Sequence, residues 1–192
     1  MMGADLRRTP LWDRHRRSSG KMVGFAGWEM PVQFPTGPIE EHRIVREDAG
    51  LFDVSHMGRY WIGAASDSED GGAPAHRFVQ ELITNDLDRI ESGRLLYTPL
   101  CLESGGVIDD VTVYRFDSGC LLVVNASNRD AVREWIAPRV PSGVLFEDRS
   151  DALAQLALQG PGAQARFAPL VDGDLDALGY YHHGSFRVLG TP

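Results

Sequence analysis

The sequence predicts an α+β fold in which antiparallel sheets pack against helices. Helical patterns alternate with strand-like runs without a regular strand–helix–strand period, which disfavours a doubly wound parallel sheet. Between residues 91 and 128, three strand-like runs are separated by the short segments ESGG and FDSG, which are typical of hairpin turns. Strands joined by such turns run antiparallel.

The first quarter of the chain is predicted to hold two helices with an apolar, irregular segment between them. Thr9 is a candidate N-cap and Pro10 a candidate first helical residue, and this helix should end before Gly20. The segment FAGWEMPVQFPTGP is rich in glycine, proline and aromatic residues, so we expect a packed loop with short strands. A second helix is predicted over residues 39–50, because glycine commonly ends a helix.

After Leu51 the composition becomes strand-like, and the segment AASDSEDGGAPA that follows is polar and acidic, which indicates an exposed loop. In AHRFVQELITNDL, apolar residues recur at helical spacing and predict an amphipathic helix. A helix over Arg129–Val140 should be capped by Asn128, with Trp135 among its core-facing residues. The last elements predicted are a strand over residues 153–158 and a helix with Pro161 at an early position.

Composition and charge argue against several classes of protein. The chain has 192 residues, of which 43% are hydrophobic and 24% charged, as in ordinary globular proteins. A net charge of −8 predicts no affinity for nucleic acid or for an anionic membrane. No apolar run approaches the roughly 20 residues of a membrane span, and the N-terminus lacks a signal-peptide core, so we expect a cytoplasmic protein. The spacing of histidines and cysteines predicts no metal site.

Two adjacent carboxylates, Asp109 and Asp110, lie in the strand-like segment GGVIDDVTVYR. Successive side chains of a strand point to opposite faces, so only one carboxylate can face a given pocket. Ile108 and Val111 on either side are apolar, which puts at least one carboxylate close to buried surface, where it needs hydrogen bonds or a cationic ligand. Solvation of both at a hairpin end is the alternative interpretation.

Other patterns of chemical interest favour binding over hydrolysis or nucleotide use. Ser55 and His56 are adjacent, but no G-x-S-x-G segment accompanies them, so a hydrolase is disfavoured. Neither a G-x-G-x-x-G segment nor a P-loop is present. Tyr97, Tyr114 and Asn125 lie in runs that should join the sheet of Asp110, where rings and an amide suit a flat heteroaromatic ligand.

Six segments, in order, resemble the aminomethyltransferase family of the glycine cleavage system, the T-protein: FAGWEMPVQFP, AGLFDVSHMG, ITND, GGVIDDVTVYR, LLVVNASNRD and LALQGP. The resemblance runs from Thr9 to the end of the chain. It implies a folate-binding aminomethyltransferase-type fold with antiparallel sheets and packed helices. The family takes the aminomethyl group from the dihydrolipoyl arm of the H-protein, releases ammonia and delivers the one-carbon unit to tetrahydrofolate.

The same resemblance implies roles for individual residues. Asp110 matches the carboxylate that is central to catalysis in the family, and no metal takes part. Met57 and Tyr97 are expected to line the folate channel, with Tyr114 and Asn125 near the pterin ring. His56 is expected to be a scaffold residue beside Met57.

The chain departs from the family in length, since family members are about twice as long and continue into an Arg-Thr-Gly-Tyr-Thr-Gly-Glu segment and a C-terminal domain. We therefore expect the C-terminal part of the fold to be missing. Residues 1–50 and 141–192 should form an incomplete, discontinuous first folate-binding subdomain, and residues 51–140 a second α+β subdomain. Unpaired strand edges predict aggregation or complementation by a second polypeptide that supplies the missing half.

Three alternatives to a glycine cleavage aminomethyltransferase stay open from the sequence. One is a folate-binding relative without transfer chemistry, of the iron-sulfur assembly type. Another is an inactive truncated fragment, which the missing folate contacts would favour. The third is the folate domain of sarcosine or dimethylglycine oxidising enzymes, although no dinucleotide fingerprint precedes Thr9.

Overall fold

Helices and antiparallel strands alternate along the computed structural model, which describes residues 6–65 and 71–191. Its α-helices are α1 (Trp12–Arg17), α2 (Pro38–Glu47), α3 (Ala73–Leu82), α4 (Arg129–Ile136) and α5 (Ala163–Phe167). Its strands are β1 (Met22–Phe25), β2 (Trp28–Pro31), β3 (Gly50–Asp53), β4 (Gly58–Ala64), β5 (Leu95–Cys101), β6 (Val107–Phe116), β7 (Gly119–Val124), β8 (Val144–Asp148), β9 (Leu156–Gln159), β10 (Val171–Asp172) and β11 (Arg187–Val188). The predicted α+β class is confirmed. The centre of the predicted acidic loop, at residues 66–70, lies outside the described residues.

The chain divides into two compact units. We call residues 57–153 with 178–184 the sheet unit, and the described residues of 1–56, 154–177 and 185–192 the terminal unit. The sequence predicted 51–140 as one continuous part against 1–50 with 141–192, whereas both compact units are discontinuous, because the sheet unit extends to residue 153 and includes residues 178–184. The interpretation of these parts as folate-binding subdomains stays a prediction.

The sheet unit is built on a five-stranded antiparallel sheet with the order β5-β6-β7-β4-β8. The turns predicted at ESGG and FDSG join β5 to β6 and β6 to β7. Gly119 follows the second turn with a φ of 150°, and a Cβ there would collide with the Ile62 carbonyl oxygen of the neighbouring strand. Glycine is therefore required where this hairpin turns.

Helices α3 and α4 pack against this sheet and share one hydrophobic core with it. The apolar face predicted for α3 is buried, and Val132 and Ile136 of α4 are fully buried. Trp135 packs against the core while remaining partly exposed. The largest fully buried side chains are Tyr60, Ile62, Leu87, Leu100, Leu122 and Ile136. Each large aliphatic side chain of this kind stabilises the fold by about 1.5–3 kcal/mol through burial.

The terminal unit contains three two-stranded antiparallel sheets, β1-β2, β3-β9 and β10-β11. Its buried apolar side chains include Trp28, Met30 and Val171. Several large apolar side chains stay exposed, among them Ile39 (87%) and Leu51 (64%). Within the described residues, this unit leaves much apolar surface facing water.

A tight corner of the terminal unit joins α2 to the residues after β9. Gly160 has a φ of 130°, and a Cβ there would collide with the main-chain oxygen of Asp48, just beyond α2. The Arg166 guanidinium of α5 forms two hydrogen bonds with the Asp48 carboxylate. Their hydrogen bond lowers the pKa of Asp48, so the carboxylate stays ionised at neutral pH. The predicted Gly-Pro turn is therefore fixed by the close approach of Gly160 to Asp48 before it and by the Arg166–Asp48 hydrogen bonds after it.

Several local predictions are wrong. The helix predicted over residues 39–50 ends at Glu47, and Gly50 instead begins β3. Helix α1 begins at Trp12 and has no side-chain cap, and Thr9 instead offers its main-chain oxygen to the Trp12 amide at 3.1 Å. Pro161 lies before the N-cap of α5, which is Gly162. Asn128 does occupy the N-cap position of α4, but its side chain makes no cap hydrogen bond.

No helix in the described ranges 6–65 and 71–191 is long and apolar enough to cross a membrane. The cytoplasmic location expected from the sequence stays a prediction.

A partly buried His–Asp pair ties α1 to the end of β3. His15 Nε2 lies 3.0 Å from Asp53 Oδ2, and the Asp53 side chain is 1% exposed. The Ser55 amide donates to the other carboxylate oxygen at 3.0 Å. Burial raises the pKa of Asp53, but hydrogen bonds from its neighbours, His15 and Ser55 among them, outweigh burial and lower it.

We predict that the terminal unit loses stability as the pH falls through the lowered pKa of Asp53. A carboxyl whose pKa is lower in the folded state stabilises the fold above its unfolded pKa of about 4, and that contribution is lost in more acidic solution. Urea unfolding between about pH 7 and pH 2 should show the fall. The Asp53→Asn variant should be less stable than the wild type at neutral pH, and its free energy of unfolding should change less with pH across the acidic range.

The matched control is Asp13→Asn, which changes an exposed carboxylate on α1. It should keep the wild-type pH profile. An Asp53→Asn profile parallel to that of the wild type would rule out a role for this pair.

Candidate functional site

The alternation of side chains along β6 separates the two adjacent carboxylates. Val111 and Val113 are buried in the core of the sheet unit, and Asp109 points to the same side and is 3% exposed. Asp110 points to the opposite side, which we call the outer face of the sheet, and is exposed. As expected, the two carboxylates lie on opposite faces of the strand, with Asp109 buried and Asp110 exposed.

Tyr97 lies next to Asp110 on the outer face. It belongs to β5, where it pairs with Thr112 of β6, so its side chain emerges on the same side as that of Asp110. The Tyr97 hydroxyl donates a hydrogen bond of 2.5 Å to Asp110 Oδ2. This hydrogen bond raises the pKa of Tyr97, which keeps the phenol protonated as a donor.

Asn125, just after β7, approaches Asp110 from the other side. Its Nδ2 lies 3.2 Å from Asp110 Oδ1 and 3.0 Å from the Asp110 main-chain oxygen. The two carboxylate oxygens of Asp110 therefore have separate donors, one from β5 and one from the residue after β7. Tyr97, Asp110 and Asn125 form the group that we call the carboxylate site.

Asp109 is held on the inner side of the same strand by the turn that follows β7. It accepts hydrogen bonds from the Asn125 main-chain amide at 2.8 Å and from Asn125 Nδ2 at 2.9 Å. A third comes from Asn128 Nδ2 at 2.6 Å. A buried carboxylate needs such donors to offset the loss of hydration.

Met57 and Tyr114, the other predicted site residues, form no hydrogen bond with Asp110 in the part of the chain that the structure describes. Met57 is half-buried and directly precedes Gly58, which pairs with Val124, so Met57 lies at the end of the ladder where Asn125 follows. Tyr114 lies four residues beyond Asp110 on the same face of β6. That spacing is about 13 Å along a strand.

The ring of Tyr114 packs against His183, with ring centroids 5.6 Å apart. Burial raises the pKa of the Tyr114 hydroxyl. Tyr114 is thus placed to shape the far end of the outer face, away from the carboxylate.

Two features of the site could not be found in the sequence. Asn128 was interpreted as a helix cap, although it lies three residues after Asn125 and shares its acceptor. The segment 178–184 returns to the edge of β5, where the Leu95 amide donates to the Tyr181 carbonyl at 2.9 Å. Because Leu95 lies two residues before Tyr97 in β5, this pairing brings Tyr181 close to the carboxylate site.

Ser55 and His56, which the sequence analysis also considered, make contacts within the terminal unit. Ser55 is buried, and its hydroxyl exchanges hydrogen bonds with the Gln155 main chain at 3.2 and 3.0 Å. The His56 ring meets Phe25 edge-on at 5.8 Å, as expected of a scaffold residue. No group of three or more candidate ligands capable of holding a metal occurs among the residues that the structure describes.

The carboxylate site combines an exposed aromatic ring, an oriented carboxylate and an amide on an open sheet face. An aromatic ring offers stacking area to a flat ligand, and the polar groups fix its orientation. An ionised carboxylate also attracts a positively charged centre. The arrangement suits a planar ligand that carries polar or positively charged groups at its edge.

Comparison with known proteins gives consistent results. Residues 11–192 match the family described as the GCVT N-terminal domain. An aminomethyltransferase of Moorella thermoacetica is 48% identical over 191 residues, which cover 98% of this chain and 50% of the relative. One from Desulfitobacterium hafniense (strain DSM 10664 / DCB-2) is 46% identical over 189 residues, covering 97% of this chain and 49% of the relative.

A solved structure, the glycine cleavage system aminomethyltransferase T from Bartonella henselae, superposes with a TM-score of 0.81 at 30% identity. The match covers 93% of this chain and 47% of that one. This chain thus spans about half the length of the relatives it matches. It belongs to the aminomethyltransferase family of the glycine cleavage system and corresponds to the N-terminal half of the T-protein.

Proposed function

We propose that this chain carries the catalytic carboxylate of an aminomethyltransferase of the glycine cleavage system. The reaction takes the S-aminomethyl group from the dihydrolipoyl arm of the H-protein and passes its carbon to N5 and N10 of tetrahydrofolate. The carbon–sulfur and carbon–nitrogen bonds break, two carbon–nitrogen bonds form, and the two hydrogens displaced from the folate nitrogens leave on the thiol and on ammonia. The observation that supports this proposal is the exposed Asp110 carboxylate with a donor on each oxygen.

Asp110 would act on charge and orientation. Departure of ammonia leaves positive charge at the transferred carbon, and a nearby carboxylate stabilises that charge. The same carboxylate can accept a hydrogen bond from the attacking amine of the folate and align it with the carbon. Donors from Tyr97 and Asn125 fix the plane of the carboxylate before the substrates arrive.

Tetrahydrofolate, the acceptor substrate, would lie along the outer face of the sheet. The exposed ring of Tyr97 provides stacking area, and Asn125 provides an amide for the polar edge of the pterin. Met57 lies at the near end of this face and Tyr114 at the far end, so we propose that both line the folate channel. This assignment rests on placement along β4 and β6.

We further propose that polypeptide corresponding to the other half of the relatives, whether on the same chain or a separate one, completes the working site. Two unit charges 4 Å apart attract by about 1 kcal/mol in water but about 4 kcal/mol near a protein surface. Asp110 is exposed in this chain, so covering the outer face would strengthen its effect on the reaction. The open apolar residues of the terminal unit provide a surface for such a partner.

The Asp110→Asn variant should lose turnover much more than affinity for tetrahydrofolate. It preserves shape but removes the charge that stabilises the transition state, so turnover should fall by about 10² or more. Folate affinity should change by less than about threefold, because the stacking surface is kept. Calorimetry of tetrahydrofolate binding, together with ammonia release from aminomethylated H-protein, measures both.

Asp117→Asn, an exposed carboxylate in the turn between β6 and β7, is the control and should match the wild type in both measurements. Wild-type turnover by Asp110→Asn would refute the electrostatic role. Folate binding without turnover in every sample, including one supplied with the other half, would instead support a non-catalytic folate-binding relative. Absence of binding in every sample would identify an inactive fragment.

Supplying the other half of the Moorella thermoacetica relative should raise turnover and protect β3 and β9 from hydrogen exchange. Leu51→Asp should abolish this complementation, because a charge would enter the apolar surface that the partner covers. Val107→Asp is matched in exposure, 65% against 64%, but lies in the sheet unit and should complement normally. Equal loss in both variants would argue against the terminal unit as the docking surface.

A further inference from the structure

Asp109 is a buried carboxylate for which the proposed reaction has no direct use. It accepts three hydrogen bonds from the turn between β7 and α4, two from Asn125 and one from Asn128. Three donors to one side chain are what a buried carboxylate needs to offset its lost hydration. A buried charge that draws its donors from one turn holds that turn in place.

The side-chain amide of Asn125 connects the two carboxylates. An asparagine amide nitrogen carries two hydrogens, which point in fixed directions. Asn125 Nδ2 lies 2.9 Å from Asp109 Oδ1 on one side and 3.2 Å from Asp110 Oδ1 on the other. Because one hydrogen is directed to Asp109, the other is left for Asp110, where the main-chain oxygen at 3.0 Å and Oδ1 at 3.2 Å share it.

Asn128 gives up a stabilising interaction to take part in this arrangement. It occupies the N-cap position of α4, where an asparagine side chain commonly accepts a hydrogen bond from the helix and contributes about 1 kcal/mol. Its side chain makes no cap bond and instead donates to Asp109 at 2.6 Å. The Asn128 contact therefore restrains the Asp109 oxygen that also receives Asn125.

We propose that Asp109 and Asn128 are positioning residues that hold the Asn125 amide against Asp110. The inference rests on the proposed function for its catalytic consequence. An exposed carboxylate samples several rotamers, and Tyr97 restrains only one of its oxygens. The second donor fixes the carboxylate plane, and that donor is aimed by Asp109 from the opposite side of the strand.

The first test is NMR spectroscopy of the ¹⁵N-labelled 192-residue chain, which needs neither substrate nor partner. Asn128→Ala should shift the Asn125 side-chain amide signals and speed their hydrogen exchange about tenfold, because a restraint on the amide is lost. Asp109→Asn should do so more strongly. Asn128→Ala keeps the test decisive if Asp109→Asn fails to fold.

Gln80→Ala is the matched control, since it removes two hydrogen bonds to main-chain atoms of the same unit without contacting the carboxylate site. It should lower the unfolding midpoint while leaving the Asn125 amide signals in place. A purely structural role for Asn128 would make its variant behave like this control. Asn125 signals that are unmoved in both Asn128→Ala and Asp109→Asn would overturn the proposal.

The second test measures turnover and folate affinity with the other half supplied. Asn128→Ala should lower turnover about tenfold, since small misplacements of a reacting group are costly, and should change folate affinity by less than about threefold. The loss should vanish in the Asp110→Asn background, because Asn128 acts through Asp110. Equal losses in both backgrounds would overturn the proposal. If the wild type shows no turnover, the proposed function is wrong. The NMR signals of the Asn125 amide then still test whether Asp109 and Asn128 position that amide.

Discussion

The period-two alternation of side chains in β6 is the constraint on which the site depends. It sends Asp109 into the interior with Val111 and Val113, and it leaves Asp110 on the outer face. A shift of one residue in register would exchange them and bury the carboxylate that faces solvent. The neighbouring strands β5 and β7 fix that register from both sides, and they deliver Tyr97 and Asn125 to the same point. The geometry of the carboxylate site and the packing of the core are therefore set by the same strand pairings.

The two units differ in how fully they bury their apolar residues. The sheet unit places two helices on its five-stranded sheet and buries large side chains completely. The terminal unit relies on short two-stranded ladders, on the tight turn at Gly160 and on the partly buried His15–Asp53 pair. Polar anchors of this kind fix local geometry, but they do not replace the area of a closed core. The carboxylate site accordingly lies in the unit with the more complete interior.

Much of this arrangement was predictable from the sequence, because it depends on short-range patterns. The hairpin turns, the amphipathic face of α3 and the separation of Asp109 from Asp110 follow from local periodicity. Thr9 and Asn128 were predicted to be caps, and both predictions failed: α1 begins at Trp12 without a side-chain cap, and Asn128 is drawn to a buried carboxylate on another strand. The placement of Tyr114 against His183 likewise depends on a distant segment. Residue roles assigned by resemblance to the family, Asp110 included, stay predictions.

The return of residues 178–184 to the edge of β5 has a consequence for how the chain is made. The Leu95 amide donates to the Tyr181 carbonyl, and the His183 amide donates to the Gly93 carbonyl. In both pairs the partner from residues 178–184 emerges from the ribosome much later. The sheet can form first, but the Leu95 amide and the Gly93 carbonyl at its edge then wait for their partners until residues 181–183 have been synthesised. During that interval the strand is open to pairing with other nascent chains, so translation speed and chaperone access become determinants of yield.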